Sequence, residues 1–212
     1  MEGYMHDLNQ ANVLLSASFP SGERGERFKP YDPSGIADAV TAFARAVLAN
    51  NGRLTFGGHP TITPIVLMIS RELRIAGSIT VFQSAWFKEA LQLPEVDEIK
   101  KEDLACVEWT RCVDDRDESL QIMRSAMIQQ GQYASALFIG GMEGIETEYS
   151  MVKRFSPTTP CVPIMGPGGM AARLSTTDYE KLGMTEFLRS RAYPYMALHF
   201  VKALSGTAIS QN

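Results

Sequence analysis

A turn rich in glycine and glutamate lies within the stretch LFIGGMEGIETEYSM, Leu137 to Met151. An apolar run typical of a buried strand precedes the glycines, and an amphipathic pattern typical of a helix follows them. Glycine lets a ligand approach the backbone, and N–H groups at a helix start bind phosphate or sugar oxygens. Carboxylates such as Glu148 could accept hydrogen bonds from sugar hydroxyls. Acids near a helix start also stabilise the helix dipole, which is the alternative role for Glu143 and Glu146.

A second glycine pair ends the strand-like run RLTFGG. One pair alone is typical of a plain strand-to-helix turn, whereas two pairs in equivalent positions favour a ligand site. The predicted close-approach glycines are Gly57, Gly58, Gly140 and Gly141. His59 follows the first pair and precedes a proline, where it could bind a ligand or cap the next helix.

Polar and aromatic side chains at the predicted strand ends add to this site. Ser16 and Ser18 end the first strand, and we expect one hydroxyl to face the ligand and the other to satisfy the core. Phe19, Gln83 and Trp86 could build a base-stacking pocket at neighbouring strand ends, or the aromatic rings could pack the sheet edge instead. The loop SGERGERFKPYDP carries cations that could close over an anionic ligand or remain solvated, namely Arg24, Arg27 and Lys29.

The composition excludes several classes of protein. The chain has 212 residues, 45% hydrophobic and 21% charged, which suits one globular domain. Its net charge of -4 and its lack of a Lys/Arg cluster argue against a nucleic-acid partner. No basic start precedes an apolar run, and no apolar run reaches the roughly 18 residues of a membrane span. We therefore expect a cytoplasmic protein without a membrane partner.

Several common catalytic and cofactor signatures do not occur in the chain. The cysteines and histidines are dispersed, which argues against a metal site and predicts reduced thiols. The first predicted strand lacks G-x-G-x-x-G, which disfavours a nicotinamide dehydrogenase, and neither a phosphate-binding P-loop nor a G-x-S-x-G elbow is found. We expect no cofactor and no metal.

Apolar, β-branched runs alternate with helical patterns, which predicts βαβ units. The predicted fold class is α/β, with a doubly wound, mostly parallel sheet and helices on both faces. The predicted strands are 12–19, 53–58, 78–84, 105–111, 134–141 and 160–166. The predicted helices are 34–50, capped by Ser34, then 62–76, opened by Thr61 or Thr63, and 85–92, 117–131, 145–155 and 193–206.

A single domain over residues 12–206 accounts for these elements. Residues 1–11 and 207–212 have no packing pattern, so we expect a flexible leader and a flexible tail. The Pro- and acid-rich stretch 94–103 is expected to form a surface loop. In doubly wound sheets, ligands bind at the carboxyl ends of the strands, near the point where strand order reverses. We therefore expect the site among the loops described above.

The segment GGMEGIETE resembles the P-G-G-x-G-T-x-x-E motif of the SLOG superfamily. This Rossmann-like group includes the "lonely guy" phosphoribohydrolases and nucleotide-sensing domains of prokaryotic immunity systems. Together, SASFP, FGGHPTITPIVL and GGMEGIETEY resemble the SLOG branch found beside or fused to TIR domains, over residues 12–166. The chain departs from the motif because Ile139 replaces the proline, Ile145 replaces the threonine, and an extra residue, Met142 or Glu143, precedes Gly144.

The resemblance implies roles for individual residues. Glu148 keeps the motif's spacing after Gly144, which implies the acid that faces the ribose C1′. Arg124, in IMRSAM, falls at the arginine of the family's M-H-x-R-K segment, which implies support for the substrate phosphate and the acid. The His and Lys of that segment are absent, and Arg124 could instead be a solvent-facing cation. Arg27 is similar to the arginine in the pattern S-F-P…R of this branch.

Two functions remain open. In the first, the chain is a sensor that binds an NAD-derived nucleotide, such as ADP-ribose or a cyclic relative, and controls assembly or an effector, such as a TIR-domain partner, in antiphage defence. In the second, it is a phosphoribohydrolase that cleaves the N-glycosidic bond of a nucleoside 5′-monophosphate through Glu148 and Arg124. We expect a homodimer or higher oligomer, for which helix 193–204 could supply a surface. The expected ligand-binding residues are Ser16, Ser18, Phe19, Arg27, Gly57, Gly58, His59, Gln83, Arg124, Gly140, Gly141, Met142, Glu143, Gly144 and Glu148.

Overall fold

The computed structural model describes residues 6–90 and 104–209, and its strands form one parallel sheet. The strands are β1 Asn12–Ser18, β2 Arg53–Gly57, β3 Ile79–Ser84, β4 Cys106–Thr110, β5 Ser135–Gly140 and β6 Cys161–Ile164. Their order across the sheet is β4-β3-β2-β1-β5-β6, and every neighbouring pair is parallel. The predicted doubly wound parallel sheet is confirmed.

The strand order reverses beside β1. The chain runs outward from β1 through β2, β3 and β4, and then returns to the other side of β1 for β5 and β6. Ser18 and Gly140, the last residues of β1 and β5, are partners in the register. The carboxyl ends of these two strands therefore flank the crevice where doubly wound folds bind ligands.

Helices cover both faces of the sheet. They are α1 Gly22–Glu26, α2 Pro33–Ala49, α3 Thr63–Leu73, α4 Trp86–Ala90, α5 Arg116–Gln130, α6 Glu143–Phe155 and α7 Tyr193–Ile209. Helices α2, α3 and α7 share the larger apolar core, through Phe43, Val66 and Phe200. Helices α5 and α6 share a smaller core, through Met127 and Val152. Over residues 6–90 and 104–209, no helix is both long and apolar enough to cross a membrane.

Alternation along β5 explains why two cores form. Leu137 and Ile139 belong to the larger core, whereas Ala136 and Phe138 belong to the smaller one. Successive strand residues point to opposite faces, so a strand buried on both sides is apolar throughout. This is why the run SALFIG reads as a continuous apolar segment, and why every observed strand lies inside its predicted range.

The helix boundaries differ from prediction in instructive ways. The N-cap of α2 is Asp32, whose Oδ1 accepts a hydrogen bond from the Gly35 N–H at 3.1 Å, so the prediction of Ser34 as the cap is wrong. Pro33 at the first helical position suits a helix start because it has no N–H to satisfy. Helix α3 ends at Leu73, before the predicted end, because Arg74 adopts a left-handed φ of 53°.

Residues near both ends of the described chain take part in the fold. Leu8, in the segment expected to be a flexible leader, is 1% exposed, packs in the larger core and donates its backbone N–H to the Asn50 carbonyl. Helix α7 continues through residues 207–209, which were expected to belong to the tail. Residues 1–5 and 210–212 and the stretch 94–103 lie outside the described residues.

A buried carboxylate fixes the segment between β6 and α7. Asp178 is 3% exposed and accepts hydrogen bonds from the Cys161 N–H at 2.9 Å, from Lys181 Nζ at 2.7 Å and from Lys153 Nζ. Burial alone would raise the pKa of Asp178, but these hydrogen bonds lower that pKa to about 2. The carboxylate thus ties α6 and β6 to the segment that precedes α7.

Candidate functional site

The turn after β5 is closely packed by the protein's own backbone. Gly140 and Gly141 have φ values of 64° and 71°, the left-handed region where a side chain is strained. The Gly141 N–H donates to the Ser18 carbonyl at 2.8 Å, and its carbonyl accepts from the Met170 N–H at 2.9 Å. A Cβ on Gly169 would lie 2.7 Å from the carbonyl carbon of Gly140. Close packing of β1, β5 and the loop after β6 is therefore enough to require these glycines, whether or not a ligand binds here.

Helix α6 starts at this turn, and its first carboxylate is held by two cations. The Glu143 carboxylate accepts hydrogen bonds from Nη2 of Arg24 at 2.9 Å and from Nη2 of Arg27 at 2.8 Å. A hydrogen bond from its own backbone N–H, and then the one from Arg24, lower the pKa of Glu143. The side chain of the preceding residue, Met142, has no oxygen with which to cap the helix. Glu143 thus places a negative charge at the start of α6 and joins this helix start to residues 21–30, the α1 segment.

Arg124 of α5 and Glu148 of α6 form an ion pair beside the crevice. Arg124 Nε lies 3.2 Å from Glu148 Oε1, and the two side chains are 19% and 13% exposed. Gly144 leaves room for the guanidinium, because a Cβ there would lie 2.9 Å from Arg124 Nη2. Across residues 6–90 and 104–209, Glu148 is the hydrogen-bond partner found for Arg124. The remaining guanidinium N–H groups could therefore serve a ligand, and Arg124 is not a fully solvated cation.

The α1 segment is anchored by the loop that follows β6. Nη2 of Arg173 donates to the Arg27 carbonyl at 2.7 Å and to the Lys29 carbonyl at 3.3 Å. The Gly169 N–H donates to the Pro30 carbonyl at 3.2 Å. These contacts hold the loop that bears the predicted cations next to the start of α6.

The glycine pair after β2 packs against β3 and α5. A Cβ on Gly58 would lie 2.6 Å from Oε1 of Gln83, and one on Gly57 would lie 3.2 Å from the terminal methyl carbon of Met123. Gln83 is 5% exposed, and its Oε1 has no hydrogen-bond partner in the described part of the chain. A buried carbonyl oxygen without a hydrogen-bond partner costs folding free energy. Packing therefore does not explain why a glutamine occupies this position.

His59 organises the turn before α3. The ring Nδ1 of His59 accepts a hydrogen bond from the backbone N–H of Thr61 at 3.3 Å. The backbone N–H of His59 donates to the Thr63 hydroxyl at 3.1 Å. Because Nδ1 accepts, the neutral ring carries its proton on Nε2. Burial lowers the pKa of His59, which favours the neutral ring at pH 7. The expected helix-start role fits these contacts, and a ligand contact stays a prediction.

The two serines of β1 lie on one face of the sheet but in different surroundings. Ser16 is 2% exposed, and its hydroxyl lacks a partner among the residues described. Ser18 is half-buried, with its Oγ 2.9 Å from where a Cβ on Gly141 would lie. Phe19 packs against the larger core, and Trp86 is half-buried at the start of α4. Base stacking by either aromatic ring stays a prediction.

The predicted residues fall into two groups at neighbouring strand ends. Because β1 pairs with both β2 and β5, the two groups are side by side. The group at β1, β5 and α6 consists of Ser16, Ser18, Phe19, Arg27, Arg124, Gly140, Gly141, Met142, Glu143, Gly144 and Glu148. The group at β2 and β3 consists of Gly57, Gly58, His59 and Gln83.

An open depression lies at the opposite edge of the sheet, among the strand starts at Asn12, Arg53 and Ala134. Parallel sheets bind ligands at their carboxyl edge, so the crevice beside Gly140 is the stronger candidate. In the part of the chain that the structure describes, no cluster of His, Cys, Asp and Glu is arranged to hold a metal ion.

Two arginines at the site are missing from the ligand-binding residues predicted from the sequence, although Arg24 was one of three candidate cations in its loop. Arg24 contacts Glu143 just as Arg27 does, and the spacing of three between these arginines could have indicated a shared side of one helical turn. Arg173 lies 146 residues from Arg27 along the chain, and no local pattern marks it.

One comparison with known proteins identifies related sequences. The model of the SLOG cluster3 family matches residues 28–198. That range includes Arg124, the turn at Gly140 and Glu148, and it begins after β1 and Arg27. A search of curated proteins finds no match to the chain.

Proposed function

Because the chain belongs to the SLOG cluster3 family, we propose that it is a nucleotide-sensing domain that binds an NAD-derived signal, such as ADP-ribose or a cyclic relative. Family membership supports a nucleotide-related role. The observation that carries the finer proposal is the Arg124–Glu148 ion pair beside the crevice where strand order reverses. This pair offers both donors and acceptors at the position where the fold class receives ligands.

The two side chains suit different parts of a nucleotide. Glu148 has lone pairs beyond the one used by Arg124, and these can accept hydrogen bonds from ribose hydroxyls. The guanidinium groups of Arg124 and Arg27 can donate to phosphate oxygens in pairs. Gln83 and His59, at the neighbouring strand ends, offer an amide oxygen and a ring N–H to a base. An NAD-derived nucleotide carries all three kinds of group.

The output of the sensor is assembly or control of an effector, such as a TIR-domain partner, in antiphage immunity. A homodimer is the simplest such assembly. Helix α7 presents Tyr195 and Leu198, which are 55% and 54% exposed, and an interface could cover them. Tyr193 and Phe200, in the same helix, are buried and belong to the core instead.

The phosphoribohydrolase alternative is favoured by the position of Glu148. Cleavage of a ribosyl N-glycosidic bond develops positive charge on the sugar, which a nearby carboxylate stabilises. Glu148 is largely shielded from solvent, where such stabilisation is strongest. The Arg124–Glu148 ion pair fits both functions, because the resemblance implies an arginine that supports this acid in the phosphoribohydrolases too. The absent His and Lys of their M-H-x-R-K segment are what favours binding over cleavage.

The first experiment measures binding by isothermal titration calorimetry with ADP-ribose, a cyclic ADP-ribose isomer, NAD and AMP. We expect ADP-ribose or its cyclic isomer to bind best, and Glu148→Gln to weaken that binding. The matched control is Glu180→Gln, which removes an exposed carboxylate from the segment before α7. Absence of binding for all four nucleotides would contradict the sensor proposal.

The second experiment separates sensing from cleavage. The same nucleotides are incubated with the protein, and release of free base is followed by liquid chromatography. We expect recovery of intact ligand. Release of base that disappears in Glu148→Gln would instead establish the phosphoribohydrolase alternative.

A further inference from the structure

Gln83 carries a buried amide group that the fold does not use. The residue lies near the carboxyl end of β3 and is 5% exposed, and its Oε1 has no hydrogen-bond partner in the described part of the chain. The Thr110 hydroxyl donates to the backbone carbonyl of Gln83 at 3.5 Å and leaves the amide unpaired. An unpaired buried acceptor costs folding free energy, and a ligand that donates to it removes this cost.

The unpaired buried atoms of the protein lie toward one edge of the sheet. Among the residues described, they are Ser16 Oγ, Gln83 Oε1 and the Tyr193 hydroxyl. Ser16 and Gln83 lie near the carboxyl ends of β1 and β3, the two strands that flank β2. The Tyr193 hydroxyl lies 3.1 Å from the Cβ position of Gly166, which follows β6. Unpaired atoms thus gather at the edge where doubly wound sheets bind ligands.

The glycine turn after β2 leaves room for the amide of Gln83. A Cβ on Gly58 would lie 2.6 Å from Oε1 and 3.1 Å from Cδ, so the amide lies against bare backbone. The Gly58 N–H donates to the Phe82 carbonyl at 2.8 Å, which fixes the turn to β3. The terminal torsion of a glutamine is soft, so its amide plane can rotate while the backbone stays in place.

A free carboxamide suits one edge of adenine. The amide offers an oxygen that accepts and an N–H group that donates. Adenine presents an amino donor on N6 beside the acceptor N7, and a glutamine pairs with both. Hypoxanthine has a carbonyl oxygen in place of the amino group, so its edge opposes the amide oxygen with another acceptor. The amide of Gln83 therefore distinguishes a 6-amino purine from a 6-oxo purine.

We propose that Gln83 is a specificity-determining residue, whose amide pairs with the amino group and N7 of an adenine base. This inference rests on the proposed function, because it assigns the base of the bound nucleotide to the β3 side of the crevice. The carboxamide of nicotinamide could pair with a glutamine in the same way. ADP-ribose carries adenine without nicotinamide, so the test also includes nicotinamide mononucleotide, which carries nicotinamide without adenine.

The test measures base preference by isothermal titration calorimetry, with ADP-ribose and its hypoxanthine counterpart, inosine diphosphate ribose. Gln83→Met keeps the length of the side chain and removes the amide. We expect the unmodified protein to prefer ADP-ribose by about tenfold and Gln83→Met to prefer it by about twofold or less. Equal affinity of the unmodified protein for the two nucleotides, or an unchanged preference in Gln83→Met, would overturn the inference.

Ser84 is the matched control because it is a buried polar residue beside Gln83 whose side chain is paired. It is 0% exposed, and its Oγ accepts a hydrogen bond from the Trp86 N–H at 3.3 Å. Ser84→Ala should keep the base preference and lower the thermal midpoint, since a hydrogen bond is lost. Gln83→Met should keep or raise the midpoint, because it removes an unpaired oxygen. A midpoint that falls in Gln83→Met as much as in Ser84→Ala would show that the amide is structural and would refute its role.

Further probes separate failure of this inference from failure of the proposed function. If ADP-ribose binds the unmodified protein and Gln83→Met equally well, the function stands and the role of Gln83 is refuted. Nicotinamide mononucleotide that binds more tightly than ADP-ribose, and loses affinity in Gln83→Met, assigns the amide to nicotinamide and also refutes the adenine reading.

Adenosine and inosine apply if no NAD-derived nucleotide binds, in which case the proposed function fails. Saturation-transfer NMR then detects either nucleoside at millimolar concentration. Binding of adenosine but not inosine, lost in Gln83→Met, supports the role of Gln83 on its own. Absence of adenosine binding overturns that role as well.

Discussion

Arg124 and Glu148 are 24 residues apart in the chain, yet the Nε of one lies 3.2 Å from the Oε1 of the other. Their contact joins α5 to α6 at the carboxyl edge of the sheet. The pair is largely shielded from water, whereas the Glu143 pairs on the same helix are exposed. Because it is shielded, the Arg124–Glu148 pair should contribute more to stability than the Glu143 pairs, for which water and salt compete.

The first prediction is a coupling between Arg124 and Glu148 in a double-mutant cycle. Arg124→Gln, Glu148→Gln and the double variant should give an interaction energy of about 1 kcal/mol in the free energy of unfolding, because the pair is shielded from solvent. Urea unfolding measures it. The control cycle uses the exposed pair Arg116 and Asp117, also on α5, for which we expect a value near zero. Equal coupling in the two cycles would show that burial of the inner pair is irrelevant.

The second prediction concerns the backbone of the turn after β5. Gly141→Ala would place a Cβ onto Ile145 and 2.9 Å from the Ser18 Oγ, in addition to the strain of a φ of 71°. Gly183 has a similar φ of 60° but nothing within 4 Å, so Gly183→Ala isolates the conformational strain. We expect Gly183→Ala to cost about 1–2 kcal/mol and Gly141→Ala about 2 kcal/mol more. Thermal or urea unfolding of both variants checks this, and equal losses would contradict it.

The third prediction tests which residue caps α2. Asp32→Ala should lower the free energy of unfolding by about 1 kcal/mol, because the Gly35 N–H loses its acceptor. Ser34→Ala, two residues later, should have almost no effect. The exposed ion pair of Asp32 with Arg191 adds little to the difference. A larger loss for Ser34→Ala in urea unfolding would restore the sequence-based assignment.

The fourth prediction is a pH dependence due to Asp178. Its folded-state pKa of about 2 lies below the ordinary value of 3.8, so its stabilising contribution is present above pH 3.8 and is lost as the pH falls toward 2. Asp178→Asn should lower the free energy of unfolding by about 2–3 kcal/mol at pH 7, since it leaves Lys153 without its buried partner.

Unfolding at pH 7, 5 and 3 measures this contribution. The difference between the unmodified protein and Asp178→Asn should shrink at pH 3. Asp114→Asn, at an exposed position, serves as the control and should show little effect at any of the three pH values. A difference that stays constant from pH 7 to pH 3 would show that ionisation of Asp178 is not the source of stability.

The fold was predictable because its strands are buried on both faces. Such strands read as uninterrupted apolar runs, as in SALFIG of β5, and helices with a different period separate them. The sequence also held the signal for the α2 cap, since Asp32 directly precedes a proline suited to the first helical position. Leu8 gave no such signal, because a single apolar residue among polar ones has no periodicity.

The site was predictable only where its parts are local. The turn from Gly140 to Glu148 is one continuous segment, so its motif can be read directly. The contact between Arg24 and Glu143 joins residues 119 positions apart, and it depends on how the α1 segment folds back over α6. The role of Arg173 likewise depends on tertiary packing, because its acceptors are backbone carbonyls that carry no sequence signature.

Helix α6 runs between two electrostatic contacts, one near each edge of the sheet. Its first residue, Glu143, meets the arginines at the carboxyl edge, and Lys153 in its last turn meets Asp178, which also binds the first residue of β6 at the opposite edge. A helix of 13 residues is a nearly rigid rod about 20 Å long. The two contacts therefore fix the position of α6 at both ends, one at each edge of the sheet.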